Sequence, residues 1–250
     1  MCSSDLPLLE VTHLTRVFTR GGGLAGRATE VRAVDDVSFT IADGEILGLV
    51  GESGCGKSTT GRCILRLIEP TSGSVRFKGE EVTAFSAARM RAARRDLQIV
   101  FQDPYSSLNP RMRAGAIVRE PLDIHAVGTA EAREARVAEL FELVGLDPGH
   151  RQRYPHEFSG GQRQRIGIAR ALALEPKLLI LDEAVSALDV SIQAQVVALL
   201  RDLRARLGLT YLFISHDLRL VAELCDRVAV MRRGRIVELA SAHDVFARPA

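Results

Sequence analysis

A glycine-rich octapeptide directly after a short apolar run leaves few folds open to this chain. Residues 51–58 spell Gly-Glu-Ser-Gly-Cys-Gly-Lys-Ser, which matches the pattern G-x-x-x-x-G-K-[ST]. Glycines allow successive backbone N–H groups to turn inward around an anion, and the helix that we predict over residues 57–68 points the positive end of its dipole at the same anion. In this pattern Lys57 reaches the β- and γ-phosphates of a nucleotide, and the Ser58 hydroxyl coordinates Mg²⁺. A chance match is expected in on the order of one random chain per hundred, and the strand before the loop and the helix after it argue further against accident.

Three continuous apolar runs predict strands of a parallel sheet that is covered on both faces. They are residues 46–50, 178–181 and 211–214, and none of them alternates between apolar and polar side chains. Such runs are typical of strands that lie under helices on both sides. Each run ends in small or polar residues, and ligands of open α/β sheets bind beyond the carboxyl ends of the strands. The sequence therefore predicts one site to which three strand ends contribute.

Two acidic residues and a histidine follow the second and third of these runs. Asp182 is placed to hold Mg²⁺, directly or through water, and Glu183 is placed to polarise an attacking water molecule. A surface turn after a buried strand often carries acidic residues too, but the phosphate loop in the same chain favours the catalytic interpretation. His216 follows the third run, where a donor can stabilise charge on a γ-phosphate. A lone histidine after a strand is otherwise more often structural.

The composition excludes several other classes of protein. The 250 residues include 33 Lys and Arg against 31 Asp and Glu, which gives a formal net charge of +2. This charge is too small to indicate binding to nucleic acid. No stretch approaches the roughly 18 apolar residues of a membrane-spanning helix, and the N-terminus lacks a basic-then-apolar signal pattern. The cysteines lack CxxC or metal-ligand spacing and are predicted to be separate thiols; they are Cys2, Cys55, Cys63 and Cys225.

The middle third of the chain differs from the strand-rich parts around it. Residues 130–144 are rich in Ala, Glu and Arg, and their apolar side chains recur at the spacing of one helix face, at Val137, Leu140, Phe141 and Val144. Prolines interrupt this third at Pro110, Pro121, Pro148 and Pro155. We therefore predict a helical subdomain, over approximately residues 103–158, inserted into an α/β core. Short strands are predicted over residues 34–41 and 74–78, and a flexible loop at glycines 21–23 and 26.

The segment Phe158-Ser159-Gly160-Gly161-Gln162 begins a predicted helix but contains more glycine than a helix start requires. Ser159 as the N-cap and Gln162 at the third helical position form a capping box. The two glycines are poor helix formers, and they expose backbone N–H groups at the positive end of the helix dipole. This makes a second phosphate-binding surface. Two chains arranged head to tail can present it to the nucleotide in the other chain's phosphate loop.

These segments together resemble the ATPases of the ABC transporter family, in the order of that family's motifs and over nearly the whole chain. The matching positions are the adenine-stacking aromatic at Phe18, the Walker A loop at residues 51–58, the Q-loop glutamine at Gln102, the signature motif at residues 158–162, Walker B at residues 178–182, the catalytic glutamate at Glu183, the D-loop at residues 186–189 and the switch histidine at His216. Phe158 stands where leucine is commoner in the family, and Ala184 stands where proline is common.

The resemblance implies an α/β fold, a P-loop NTPase (RecA-like) core with an antiparallel β subdomain and an inserted α-helical subdomain, as one ATP-binding cassette over residues 1–250. It implies an enzyme that hydrolyses ATP with Mg²⁺. The implied catalytic residues are Glu183, His216 and Gln102, and the implied Mg²⁺ ligands are Ser58, Gln102 and Asp182. The implied ATP contacts are Phe18, Gly51, Ser53, Gly54, Cys55, Gly56, Lys57, Ser58 and Thr59 and, toward the nucleotide of a partner chain, Ser159, Gly160, Gly161, Gln162 and Asp189.

Within the family, the chain resembles the second of the two non-identical ATPases of oligopeptide and dipeptide importers. The segments that carry this resemblance are residues 59–62, 101–112 and 189–195. The implied partners are a similar but distinct ATPase or a second copy of this chain, two membrane permeases and an extracytoplasmic substrate-binding protein. The implied location is the cytoplasmic face of the membrane, as a peripheral protein. Members of this subfamily usually continue beyond the position of Ala250, some with an iron–sulfur cluster, so regulation tied to that extension is in doubt.

Other functions stay open from the sequence. Nickel, a glutathione-like molecule or a sugar is an alternative cargo, because the ATPase itself does not touch the cargo. An exporter cassette is a further alternative, although no membrane segment is fused to the sequence given. A DNA-repair ATPase with the same motifs would separate them by long coiled coils, and residues 58–158 contain no heptad repeat. No nucleic-acid partner is expected.

Overall fold

The computed structural model describes residues 6–20, 29–103 and 107–247. Three sequence features lie outside the described residues. They are Cys2, the predicted loop at glycines 21–23 and 26, and residues 104–106 of the importer-like segment.

Ten strands and eight α-helices follow one another along the described residues. The strands are β1 (Leu9–Arg20), β2 (Thr29–Ile41), β3 (Ile46–Val50), β4 (Ser72–Phe77), β5 (Glu80–Glu81), β6 (Leu97–Val100), β7 (Leu178–Asp182), β8 (Thr210–Ser215), β9 (Arg227–Arg232) and β10 (Arg235–Ser241). The helices are α1 (Lys57–Ile64), α2 (Ala87–Ala93), α3 (Ala114–Ile124), α4 (Ala130–Leu143), α5 (Gly160–Leu172), α6 (Val190–Leu207), α7 (Leu218–Leu224) and α8 (Ala242–Ala247). None of these helices is both long enough and apolar enough to cross a bilayer.

The described residues form two compact units, and the first comprises the chain up to residue 92 and from residue 210 onward. It contains an antiparallel sheet in the order β2-β1-β4-β5. Its other strands form a mainly parallel arrangement, in which β3 pairs with both β8 and β9 in parallel and β10 pairs with β9 in antiparallel. The predicted antiparallel β subdomain and parallel core are both present.

Strand β3 is buried along its whole length, as its continuous apolar run predicts. Ile46, Leu47 and Leu49 are completely buried, and β8 beside them is buried from Thr210 to Ser215. Burial of an aliphatic side chain of this size contributes about 1.5–3 kcal/mol. These two strands therefore form the core of the first unit and fix the point from which the phosphate loop emerges.

The second unit, residues 93–209, contains the parallel pair β6 and β7 together with helices α3 to α6. Strand β7 is buried throughout, in agreement with its apolar run. Helix α4 begins after Thr129, whose side-chain oxygen accepts a hydrogen bond from the N–H of Ala132 at 3.2 Å. The predicted helix face is buried at Val137, Leu140 and Phe141. The boundaries predicted for an inserted helical subdomain, residues 103–158, stay a prediction.

Helix α1 ends at Ile64, although we predicted that it extends to residue 68. Arg66 adopts the left-handed conformation, with φ of 47°, and its N–H donates to the carbonyl of Cys63 at 3.0 Å. A left-handed residue directly after a helix redirects the chain and closes the last turn. The Arg66 guanidinium also donates to the carbonyl of Phe85 at 2.7 Å, which holds the reversal in place. No glycine directly follows Ile64, so the sequence pattern did not indicate where the helix ends.

Candidate functional site

The phosphate loop, residues 51–58, has a backbone shape that requires glycine at two positions. Gly51 and Gly56 have φ of 152° and 110°. A Cβ atom on Gly51 would lie 2.1 Å from the carbonyl oxygen of Met231, and one on Gly56 would lie 2.0 Å from the carbonyl oxygen of Ala33. Both glycines are therefore required by their conformation and by the neighbouring strands, β9 and β2.

Lys57 bonds to the loop that precedes it. Its Nζ donates to the carbonyls of Gly51 at 2.8 Å and Glu52 at 3.0 Å, and the residue is only 4% exposed. Helix α1 begins at Lys57, so the ammonium and the positive end of the helix dipole lie at the same loop, a combination that attracts phosphate. The remaining predicted contacts in this segment are the exposed Ser53 and Gly54, the buried Cys55, and the half-buried Ser58 and Thr59.

His216 emerges beside the phosphate loop within the first unit. Strands β3 and β8 are parallel, with Val50 opposite Ser215, so Gly51 and His216 leave the sheet at the same edge. His216 is exposed, whereas Ser215 is buried and accepts a hydrogen bond from the N–H of Asp217 at 3.0 Å. The structure thus brings together two positions that the sequence associated only through their strand ends.

Gln102 and the two acidic residues follow neighbouring strand ends within the second unit. Strands β6 and β7 are parallel, with Val100 opposite Leu181. Asp182 is 2% exposed, and Glu183 is half-buried in a left-handed conformation with φ of 48°. This conformation costs a non-glycine residue roughly 1–2 kcal/mol. Seven other non-glycine residues of the described chain share a positive φ, so the strain at Glu183 does not by itself mark a function.

Ser159 and Gln162 form the predicted capping box at the start of α5. The N–H of Gln162 donates to Ser159 Oγ at 3.3 Å, and the N–H of Ser159 donates to Gln162 Oε1 at 3.0 Å. A Cβ atom on Gly161 would lie only 2.4 Å from Cγ2 of Ile192 in α6. Gly161 is thus required by the close approach of two helices, a role that the sequence did not indicate.

Replacement of Gly161 by alanine is expected to destabilise the fold, and replacement of Gly160 is not. The added methyl group at position 161 meets a stiff β-branched side chain, which predicts a loss of about 1–3 kcal/mol in the free energy of unfolding. At position 160 the new atom meets Leu188 at 3.4 Å, an ordinary contact, so Gly160→Ala should be neutral or slightly stabilising. Urea unfolding of both variants measures the difference, and equal stabilities would contradict the packing argument.

Phe18 and Asp189 are already engaged inside the chain. The Arg16 guanidinium lies 4.5 Å from the centroid of the half-buried Phe18 ring, a cation–π contact. Asp189 is the N-cap of α6, and its Oδ1 accepts from the N–H of Ile192 at 2.9 Å. Both contacts stabilise local structure, and the nucleotide contacts expected of these residues stay predictions.

The residues that wall the phosphate loop were missed by the sequence reasoning. They are Ala33, Met231 and Gly234, and the N–H of Gly234 donates to the carbonyl of Cys55 at 2.9 Å. A two-residue turn with glycine second, between two strand-like runs, could have revealed the hairpin at Arg233 and Gly234. Its contact with the loop is tertiary and has no local signal.

Known proteins are similar to this chain over almost its whole length. The family described as ABC transporter matches residues 34–186. A peptide import ATP-binding protein of Brucella ovis is 55% identical over 246 residues, 98% of this chain and 76% of that protein. The glutathione import ATP-binding protein GsiA of Pectobacterium atrosepticum is 53% identical over 244 residues, 97% of this chain and 39% of that protein. A solved dimeric structure of an ATP-binding cassette in a post-hydrolysis state, bound to ADP and Pi, has a TM-score of 0.83 and 27% identity, and it covers 94% of this chain and 98% of that one.

The architecture is that of a P-loop NTPase, in which a buried parallel strand leads through a G-x-x-x-x-G-K-S loop into a helix. More narrowly, the chain belongs to the ABC transporter family, as an ATP-binding subunit that hydrolyses ATP.

Proposed function

We propose that this chain energises the import of dipeptides or oligopeptides. The observation that carries the proposal is the 55% identity, over 98% of the chain, with a protein named for peptide import. A glutathione-like cargo is the second candidate, because GsiA, which is named for glutathione import, is 53% identical over 97% of the chain. Both candidates are peptide-like molecules, so the comparison favours this chemical class over nickel or sugar.

The phosphate loop supplies the groups that bind ATP in this proposal. Lys57 contributes a positive charge for the β- and γ-phosphates, and the backbone N–H groups of residues 53–59 contribute directed donors. The geometry supports this role, since Lys57 Nζ already lies against loop carbonyls and Gly51 and Gly56 leave no room for side chains. Phe18 stacks on the adenine.

Mg²⁺ accompanies the nucleotide in this proposal, and Ser58, Gln102 and Asp182 would hold it. Hydroxyl, amide and carboxylate oxygens suit this hard cation. Mg²⁺, when bound, neutralises charge that develops on the phosphates. Asp182 stands at the end of a rigid buried strand, which fixes its position.

Glu183, His216 and Gln102 perform the chemical step. Glu183 accepts a proton from, or orients, the attacking water, and Gln102 helps to place that water. His216 donates a hydrogen bond to the γ-phosphate as its charge changes. The half-buried position of Glu183 supports this assignment, because a carboxylate partly shielded from solvent interacts more strongly with a nearby water.

A second ATPase completes each nucleotide site by presenting the start of the helix that carries its signature motif. In this arrangement Ser159, Gly160, Gly161, Gln162 and Asp189 of one chain face the nucleotide that is held by the other. The cassette of similar fold was solved as a dimer with ADP and Pi, which supports pairing. The partner is a similar but distinct ATPase in this proposal, and a second copy of this chain is the alternative.

The helical part of the second unit docks the membrane permeases, so the protein lies peripherally at the cytoplasmic face of the membrane. A groove of about 450 Å³ there is lined by Met112, Arg113, Gly115, Ala116, Arg119, Glu120, Asp123, Ile124, Glu134, Arg151 and Gln152. Its charged rim and the exposed Ile124 suit an amphipathic helix. The Arg170 guanidinium donates to the carbonyl of Ser107 at 2.7 Å, which anchors the segment that leads into the groove.

A Met112→Cys variant should crosslink to cysteines in cytoplasmic permease loops, because Met112 lines the groove. Glu175→Cys is the control, and crosslinking of Met112→Cys no stronger than that of Glu175→Cys would reject this docking.

Transport by the assembled complex tests the whole proposal. The chain is reconstituted in vesicles with two permeases and a second ATPase of a peptide importer, and the binding protein is loaded with a dipeptide, a pentapeptide or glutathione. We expect uptake and ATP hydrolysis to rise with the first two. A response to glutathione alone would favour the second candidate. Failure to bind Mg·ATP in any arrangement would refute the ATPase site.

A further inference from the structure

The phosphate loop is hydrogen-bonded to a two-residue turn that is distant in sequence but belongs to the same unit. The turn consists of Arg233 and Gly234 and joins β9 to β10, where Arg232 pairs with Arg235. Its φ values of 48° and 86° are those of a type I′ hairpin turn. The N–H of Gly234 donates to the carbonyl of Cys55 at 2.9 Å. We refer to these two residues as the Gly234 turn.

This hydrogen bond fixes the orientation of one peptide group inside the phosphate loop. A trans peptide is planar, and its C=O and N–H point in opposite directions. Because the carbonyl of Cys55 points at the Gly234 turn, the N–H of Gly56 in the same peptide points away from it. Gly56 is among the residues whose N–H groups are proposed to bind phosphate, so this bond holds one such donor in its direction.

The Gly234 turn is itself anchored to strand β2. The carbonyl of Gly234 accepts a hydrogen bond from the N–H of Asp35 at 2.8 Å, and the Asp35 carboxylate pairs with Arg235 at 2.8 Å and with Arg32 at 3.3 Å. The bonded Arg235 guanidinium keeps the pKa of Asp35 below its usual value. A Cβ atom on Gly234 would lie 3.3 to 3.4 Å from backbone atoms of Arg32, Ala33 and Asp35, so the turn has little room to shift.

We propose that Gly234 is a positioning residue for the binding of nucleoside di- and triphosphates, which acts by orienting the Cys55–Gly56 peptide. Asp35 and Arg235 hold Gly234 in the place where it does so. The inference rests on the proposed function, in which the phosphate loop binds the nucleotide. Loss of the orienting bond allows this peptide to rotate, and binding must then restrain it again at the expense of affinity.

A second turn in the same unit supplies a matched control. Lys78 and Gly79 join β4 to β5 with φ values of 51° and 78°, and no atom lies within 4 Å of a Cβ placed on Gly79. Gly79→Ala and Gly234→Ala therefore introduce a methyl group at equivalent positions of two similar turns. The Gly234 turn bonds to the phosphate loop, whereas in the control turn the N–H of Lys78 donates to the carbonyl of Leu8 at 2.8 Å.

The test is isothermal titration of both variants and of the wild-type chain with Mg·ATP and Mg·ADP. Gly234→Ala keeps the backbone N–H, but its methyl group, at φ of 86° and 3.3 to 3.4 Å from backbone atoms of Arg32, Ala33 and Asp35, displaces the turn and weakens the bond to Cys55. Both dissociation constants should therefore rise about three- to tenfold. Gly79→Ala should stay within about twofold of the wild type. Thermal unfolding separates binding from folding when the nucleotide concentration is about ten times the wild-type dissociation constant. There an affinity about tenfold weaker removes more than half of the nucleotide-induced rise in the midpoint, and Gly79→Ala should keep that rise.

A Gly234→Ala dissociation constant within about twofold of that of Gly79→Ala would overturn the inference. If Gly234→Ala does not fold, Arg235→Ala takes its place, since Arg235 is largely exposed and tolerates truncation. Its affinity for Mg·ATP should fall about two- to fivefold and be restored by Arg235→Lys; an unchanged affinity would overturn the inference equally. Absence of Mg·ATP binding by the wild-type chain would refute the proposed function first, and this inference with it.

Discussion

Glu183→Gln should reduce ATP turnover in the assembled transporter by about 100- to 10,000-fold. Glutamine has nearly the shape of glutamate, but it cannot accept a proton from the attacking water. Affinity for Mg·ATP should stay within a few fold, because the phosphate loop and Lys57 are unchanged. Phosphate release measures turnover, and binding of radiolabelled ATP on filters measures affinity. Turnover at the wild-type rate would remove Glu183 from the catalytic role.

Glu175→Gln is the matched control for this experiment. Glu175 also has a left-handed backbone, with φ of 53°, and also belongs to the second unit. It follows a helix rather than a strand, and its carboxylate, 77% exposed, pairs with Arg136 at 3.3 Å. An exposed ion pair of this kind contributes little, so turnover in Glu175→Gln should equal that of the wild type. A similar fall in both variants would indicate a general effect of lost acidic charge.

Gly56→Ala should lose about 3 kcal/mol of the free energy of unfolding. The new Cβ atom would lie 2.0 Å from the carbonyl oxygen of Ala33, and the backbone at φ of 110° disfavours any side chain. Strand β2 and the phosphate loop must therefore move apart, and this movement also disturbs the backbone N–H groups that are proposed to bind phosphate. We therefore expect Mg·ATP affinity to fall at least about tenfold in the fraction that remains folded.

Gly44→Ala separates the two sources of this destabilisation. Gly44 has φ of 74°, and no atom lies within 4 Å of a Cβ placed on it. The substitution therefore adds conformational strain without a clash, and it should cost roughly 1–2 kcal/mol with no change in nucleotide affinity. Chemical denaturation of both variants compares the two losses. Equal losses would show that the contact with Ala33 is relieved without cost.

The buried strands could be predicted from the sequence because their signal is local. The run at residues 46–50 coincides with β3, and the runs at residues 178–181 and 211–214 each lie inside an observed strand. A continuous apolar run has few structures available other than a strand covered on both faces. The capping box at Ser159 was predictable for the same reason, since donor and acceptor are three residues apart.

What the sequence could not show depends on contacts between distant residues. The end of α1 is set by a left-handed Arg66 whose side chain bonds to Phe85, and no helix-stop residue marks it. The glycine at position 161 suggested an anion, but its most direct reason is the packing of Ile192. Strands β2 and β9 contact the phosphate loop, but both lie far from it in sequence. Local sequence patterns therefore do not indicate these contacts.

The capping box of α5 determines how any substitution of Ser159 must be interpreted. Ser159 Oγ uses a lone pair to accept the N–H of Gln162, so the hydroxyl hydrogen takes no part in the cap. This bond fixes the position of the Ser159 oxygen. The Ser159 hydroxyl can therefore donate to an acceptor, such as a phosphate oxygen, without a rearrangement of the helix start. Removing this side chain subtracts helix stability and a donor together, whereas threonine would retain both.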